Sequence, residues 1–208
     1  MEEILDKYPL LKYQNVSRET CVDFEKFIIE LRRNNEEINL MSKENSQDNT
    51  IRERHIVDSA QSIDFVDFNS NIVTDIGSGG GFPGIIVSIL IKNLKKNIKV
   101  NLYEKSHHKS VFLRKISREL KLETEVIQKN IFEIKNIKSG TIMARAFKPL
   151  PIVLELVYKN FNNYKNLILF MSNNGEKTLE IWDFDFEKKK SITSQDSFLL
   201  NIKNIKKK

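Results

Sequence analysis

A chain of 208 residues, 40% of them apolar, is long enough for one domain with an appendage or two small domains, and for a proper buried core. Its formal net charge of +6 is unevenly spread: residues 1–70 carry 9 Lys and Arg against 15 Asp and Glu, and residues 71–208 carry 25 against 13, an excess that suits a polyanionic partner. A single cysteine, Cys21, excludes an intrachain disulfide and a cysteine-built zinc site; the longest apolar run, IIVSILI, is too short to cross a bilayer, and the acidic start MEEILDKYPLL lacks a signal peptide's basic and apolar regions, so a cytoplasmic protein is expected. Lys outnumbers Arg 26 to eight, which makes each Arg, with its planar fork, the more informative cation.

The elements divide near residue 70. Residues 17–40 read as an amphipathic helix, with Phe24, Phe27, Ile28 and Leu31 at i, i+3, i+4 and i+7 and Ser17 as N-cap. Residues 41–49 are polar and read as a loop, 50–65 as a second helix with Ile56, Ala60 and Ile63 inward, and 67–71 as a junction. The pattern then alternates: strand 71–76, helix 82–96, strand 98–103, helix 108–121, strands 124–128 and 141–145, helix 152–160 and strand 166–171. FDFEKK and SFLLNIK close the chain as a hairpin at a sheet edge, and the Lys-rich end IKNIKKK reads as a frayed tail. Strands alternating with helices imply a doubly wound, mostly parallel sheet covered on both faces. The expected division is a helical region at 1–70 and an α/β domain at 71–208.

Five of the seven glycines fall in TDIGSGGGFPGI, between Gly77 and Gly84, where a strand runs out and a helix begins. That is the first β–α turn of a doubly wound sheet, and glycine there permits positive φ and close approach of a ligand to the backbone. Two parses stand side by side. Gly79, Gly81 and Gly84 satisfy G-x-G-x-x-G, with Glu104 twenty residues on, the fingerprint of a dinucleotide site in an NAD-dependent oxidoreductase. Alternatively, Asp75 ends the strand directly before Gly77, Gly79 and Gly81, which suits a cationic ligand such as the ammonium and sulfonium of S-adenosylmethionine. The second is favoured by Asp75, by bulky Phe82 early in the helix, and by the lack of any hydride-transfer site downstream. Glu104 serves a ribose diol in either parse. A non-catalytic RNA-binding module is a third reading, opposed by the intact glycines, Asp75 and Glu104.

TDIGSGGGFPG resembles the methyl-donor loop of the bacterial small-subunit rRNA guanine-N7 methyltransferases, also called the glucose-inhibited division protein B family. INLMSK, RHIVDS, VFLRKISRELKLE and ARAFKPL agree in order, so the resemblance runs from about residue 20 to 171. It implies a class I, Rossmann-like methyltransferase with a seven-stranded sheet behind a helical cap. It further implies S-adenosylmethionine as cofactor, no metal, and methylation at N7 of one guanine in the 530-loop of 16S rRNA, free or in the 30S particle, by a monomer that binds no membrane. Carried over by residue, it places Gly77 and Phe82 at the methionine and adenosine end of the donor, where the reading of the loop itself also sets Asp75 and Gly79, with Glu104 at the ribose. Ile131 and Phe132 then flank the adenine, and Arg145 is the catalytic-site arginine beside the reacting centre. Arg52, Arg54, His55, Lys109, Arg114 and Lys148 are the expected RNA contacts, with Phe147 a candidate to stack on the base. FMSNNGE lacks the family's Lys after the fifth strand, with Asn173 or Asn174 near its place, and HHKS lacks its paired basic residues.

Overall fold

The computed structural model describes residues 7, 8, 11, 16–42, 47–172 and 181–208; Asn173, Asn174 and positions 43–46 of the polar loop lie outside them. Helix α1 (Arg18–Ile38) begins where the Ser17 hydroxyl accepts the Thr20 N–H, and ends at Asn39, left-handed at φ +52°. It buries Phe24, Phe27, Ile28 and Leu31, the face its spacing predicts. The second helical stretch is not uniform. Short α2 (Asp48–Thr50) runs into a π-helical stretch, Ile51–Val57, then α3 (Asp58–Ala60) and a 3-10 turn, Gln61–Phe65. Extra residues per turn are characteristic of functional helices, and this one carries Arg54 and His55.

Among the described residues nine strands follow: β1 (Ile72–Ile76), β2 (Lys99–Tyr103), β3 (Thr124–Ile127), β4 (Ile137–Lys138), β5 (Thr141–Arg145), β6 (Phe161–Asn162), β7 (Asn166–Ser172), β8 (Trp182–Lys190) and β9 (Ser197–Lys207). Seven form one sheet in the order β3-β2-β1-β5-β7-β9-β8, parallel from β3 to β7, with β9 and β8 antiparallel at the edge. The chain moves outward from β1 to β3 and then returns to β5 on the other side of β1. The switch point is therefore between β1 and β5, where a doubly wound sheet opens a crevice at its carboxyl edge. The pair β4–β6, a separate parallel ladder, has no counterpart in the sequence reading.

Alternation along the strands builds two cores. Met143 and Ile168 face α1, α4 (Gly84–Asn93) and α5 (His107–Glu119), whereas Ile142, Ala144, Leu167 and Leu169 face α6 (Leu150–Asn160). The N-terminal helices share the first of these cores with the sheet. A polar knot crosses the middle: Thr141 Oγ1 accepts the Asp67 N–H and donates to Asn166 Oδ1, while Asn166 Nδ2 donates to Phe65 O and Asn201 Oδ1, each at 2.7–2.9 Å. Buried amides so completely partnered fix the register of β5, β7 and β9 under the helical region.

Two expectations are corrected. The helix expected at 82–96 starts only at Gly84, because Phe82 and Pro83 belong to the turn. The end IKNIKKK is not frayed: β9 runs to Lys207, opposite Trp182, with Ile202 and Ile205 buried. Those isoleucines are three apart, yet both point inward, because the register slips between Asp183 and Asp185 and Asn204 turns left-handed at φ +54°. An extra residue in one strand resets its phase.

Candidate active site

The glycine loop is a backbone device. Gly77, Gly79 and Gly81 adopt φ of +74°, +53° and +99°, which side chains disfavour. The N–H groups of Gly77 and Ser78 both donate to Tyr103 O, at 2.9 and 3.0 Å, pinning the turn to the tip of β2. Gly84 serves packing instead, since a Cβ there would lie 2.4 Å from Leu102 and 2.5 Å from Asp75 Oδ2.

Asp75 does not face the crevice, contrary to the expectation that it meets the cationic end of a donor. It is fully buried beneath the loop, where Oδ2 accepts the Gly84 N–H at 3.1 Å and Oδ1 has no partner. Asp75 lies two residues beyond Val73, on the face covered by α4, so strand alternation turns it away from the ligand. Burial pushes its carboxyl up to about 7, against the hydrogen bonds it accepts. A folded-state value above the unfolded one stabilises the fold at low pH, and that contribution is lost as pH rises through 7. Relative to Asp75→Asn, the native protein should therefore lose about 2–3 kcal/mol of unfolding free energy between about pH 5 and 8. Parallel urea titrations of the two proteins measure it, and a difference independent of pH contradicts it.

Above the loop a cleft of about 690 Å³ opens at the carboxyl ends of β1, β2 and β5. Glu104 stands at the tip of β2, almost buried, with Oε2 accepting the Gly79 N–H at 3.0 Å and Oε1 the Ser106 N–H at 2.7 Å. Ile131 and Phe132 lie opposite on a 3-10 turn, Ile131–Glu133. Asn160 at the end of α6 locks that turn by donating to the carbonyls of Ile131, Phe132 and Ile134 at 3.3, 3.2 and 2.6 Å. Nothing in the sequence around Asn160 announces this. Beyond β5, Ala146 is left-handed at φ +49°, a conformation that costs an alanine roughly 1–2 kcal/mol. It turns Phe147 back over the loop, stacked on Phe132 at 5.9 Å and 18°. A Cβ on Gly77 would lie 2.2 Å from the Phe147 ring, so glycine is required there twice over.

The fourth wall is the helical region. Arg145 Nη2 donates to Arg54 O at 2.6 Å and pairs with Asp58 Oδ2 at 3.2 Å, and Nη1 donates to Ser59 Oγ at 3.3 Å. The guanidinium also lies over Phe170, 5.2 Å from the ring centre. Asp58 is buried and accepts from Ser191 and Gln61, so the i,i+4 surface pair with Arg54 that the spacing allows does not form. His55 packs against Phe82, ring centres 5.0 Å apart and planes tilted by 35°, and its Nε2 is buried without a partner. Burial, with Arg145 and Arg54 nearby, lowers its pKa to about 4, which keeps the imidazole neutral near pH 7.

Gly77, Gly79, Phe82, Glu104, Ile131, Phe132, Arg145, Lys109, Lys148 and His55 thus meet around one cleft. Arg54 lines an adjoining cavity. Two expected RNA contacts do not join them. Arg114 faces Gln128 and a hollow beside β3, shared with Arg118 and Lys121. Arg52 grips Glu25 with two hydrogen bonds of 2.7 Å, and Tyr8 adds a third of the same length. Burial opposes the Glu25 charge, but these bonds hold its carboxyl down to about 2. Arg52 is therefore a structural cation, and Arg52→Gln should cost about 1–3 kcal/mol of stability while leaving ligand affinities of the folded protein unchanged. Chemical unfolding beside ligand titration separates these outcomes, and normal stability with weakened RNA binding refutes the assignment. Among the described residues no group of three or more His, Cys, Asp or Glu side chains is placed to hold a metal, and no helix is long and apolar enough to cross a membrane.

A glycine turn at the switch point, an acidic residue at the tip of β2 and an antiparallel hairpin at the sheet edge define the class I methyltransferase architecture. Solved structures agree at the level of fold. A SAM-dependent methyltransferase from Aquifex aeolicus superposes with a TM-score of 0.53 at 13% identity, over 70% of this chain and 88% of that one. A point mutant of MtNAS in complex with S-adenosylmethionine gives 0.54 at 13%, over 96% and 83%. The chain belongs to the GidB family, rRNA small subunit methyltransferase G, whose pattern matches residues 20–207. It is 71% identical, over the whole of both chains, to Ribosomal RNA small subunit methyltransferase G of Pelagibacter ubique. The proteins of that name from Cereibacter sphaeroides and Rickettsia felis are 30% and 32% identical, over 93% and 92% of this chain and 95% and 97% of theirs.

Proposed function

We propose that this chain transfers a methyl group from S-adenosylmethionine to N7 of one guanine in the 530-loop of 16S rRNA, in the cytoplasm and as a monomer. The observation that carries the reading is the cleft itself, a left-handed glycine floor with a carboxylate at one end and Arg145 at the other. The residues present fit the donor. Positive-φ glycines leave open backbone for its methionine end, Glu104 offers acceptors for a ribose diol, and Ile131 and Phe132 provide an apolar bed for adenine. With Asp75 turned inward, the choice against a dinucleotide rests on bulky Phe82 in the turn and on family membership. Residues 1–70 act as a cap, since Leu40, Met41 and His55 close the cleft over residues 71–208.

The donor supplies an electrophilic methyl on a sulfonium. Guanine N7 carries an exposed lone pair, so forming the N7–methyl bond would require no proton to be removed; the S–methyl bond would break, the donor would leave as a neutral thioether, and the positive charge would end on the purine. No general base is needed, and the protein's work is alignment and electrostatics. Arg145, fixed by Asp58, Ser59 and Arg54 O, sets one side of the reacting centre. Neutral His55 presents a ring nitrogen without adding charge. Lys109, Lys148 and Arg54 neutralise phosphate around the mouth. The guanine must be splayed from its stack, which costs a few kcal/mol unless it is already unpaired.

Glu104→Ala removes the acceptor for the ribose and for two loop N–H groups, so donor affinity should fall about tenfold or more. Calorimetric titration reads it; a weakening of about tenfold for NADH, with the methyl donor unaffected, supports the dinucleotide parse instead. The function is tested by supplying methyl-labelled donor with 16S rRNA, free and in 30S particles, and mapping the label. Label confined to the 530-loop is expected, and label elsewhere or none contradicts the proposal.

A further inference from the structure

Behind Arg145 lies a second cavity, of about 230 Å³. It shares two walls, His55 and Arg145, with the donor cleft. Among the described residues the others are Asp58, Arg54 and three hydroxyl residues, Thr193 and Ser194 from the connection between β8 and β9 and Ser197 at the start of β9. That connection belongs to the far edge of the sheet, but it is bound to the helical region: Ser191 Oγ donates to Asp58 Oδ1 at 2.8 Å, and the Ile192 N–H donates to Gln61 Oε1 at 3.1 Å. Within the turn, the Thr193 N–H donates to Ser191 Oγ at 3.1 Å. The wall of hydroxyls is thus held in place beside the proposed reacting centre.

The lining is rich in donors and poor in surfaces for stacking. Its one carboxylate, Asp58, is already met by Arg145, Ser191 and Gln61. Among the described residues His55 is its one ring, and that ring packs against Phe82. The donor cleft, by contrast, has Phe82, Phe132 and Phe147. The Arg54 side chain is exposed and has no acidic partner among the described residues. Ser197 Oγ donates to Ser194 Oγ at 3.3 Å and Thr193 Oγ1 pairs with Ser191 Oγ at 3.0 Å, so the donors left open are the Arg54 guanidinium and the Ser194 hydroxyl, a set that phosphate oxygens take, and phosphate contacts fix the register of a nucleic-acid strand.

We propose that this cavity is a phosphate subsite for the RNA strand, holding a phosphodiester next to the target guanosine while the base enters the donor cleft across the wall formed by His55 and Arg145. The proposal rests on the rRNA methyltransferase reading. It gives the β8–β9 turn a part in substrate binding.

Ser194→Asp places a carboxylate in the cavity, and Arg54→Gln removes its free charge. Each is assayed for KM toward 16S rRNA or 30S particles, with donor affinity by calorimetry and folding by circular dichroism. KM should rise about tenfold in each, with donor affinity unchanged, and for Arg54→Gln the slope of log KM against log salt should flatten by about 0.7–0.9. Asp196→Asn, on the same turn but outside the cavity lining, should match the native protein and so controls for disturbance of the turn. Unchanged KM and salt slope in both cavity variants overturn the subsite while leaving the methyltransferase reading intact. A loss of donor affinity that parallels the rise in KM also overturns it, as a structural effect. If the native protein methylates no rRNA, both fail together.

Discussion

Gly79→Val should abolish donor binding while leaving the protein folded. Gly79 sits at φ +53°, and the left-handed region costs an ordinary L-residue roughly 1–2 kcal/mol and a β-branched one more. The space around it is open: a Cβ there would meet only Gly77 O, at 3.7 Å. The new side chain would therefore occupy the cleft floor without breaking the packing beneath it. Donor affinity should fall by at least about 100-fold, which corresponds to roughly 2.7 kcal/mol, with a smaller loss of stability. Calorimetric titration beside a thermal melt distinguishes this from unfolding. At Gly84 the same change drives a side chain into Leu102 and Asp75, so there a loss of binding is a loss of fold. Native affinity in folded Gly79→Val removes the glycine floor from the donor site.

Arg145→Lys should lower turnover by about 100-fold, the scale expected when positioning slips, with RNA affinity little changed. The charge survives, but a single ammonium on a flexible stem cannot reproduce the fork that reaches Arg54 O, Asp58 and Ser59 at once while its carbon lies 5.2 Å from the Phe170 ring centre. Steady-state kinetics separate the roles. Reduced kcat at constant KM identifies an orienting residue; near-native kcat reduces Arg145 to a phosphate-neutralising charge.

The glycine loop and the β–α alternation were legible because their causes are local: left-handed backbone selects glycine, and short apolar runs bounded by turns select buried strands. Asp75 was placed correctly along the chain and wrongly about its axis. Adjacency to the loop suggested a ligand contact, whereas its parity with Val73 puts it under α4. Arg52 and Arg54 look alike in sequence, and only Glu25, brought in by α1, decides that Arg52 is structural. The C-terminal strand was legible as far as SFLLNIK, and its continuation to Lys207 was hidden by a bulge at Asn204 that breaks the two-residue rhythm. Asn160 and the β8–β9 turn contribute across the fold, with no local pattern to mark them.

The most direct test of the account is chemical. N7-methylguanosine, once reduced with borohydride, makes an RNA strand cleavable by aniline. Small-subunit rRNA treated with this protein and S-adenosylmethionine should break at one guanine in the 530-loop, and rRNA treated with Arg145→Lys should break far less. Methylated rRNA that resists cleavage, or methyl label found on protein instead of RNA, would contradict guanine-N7 methylation.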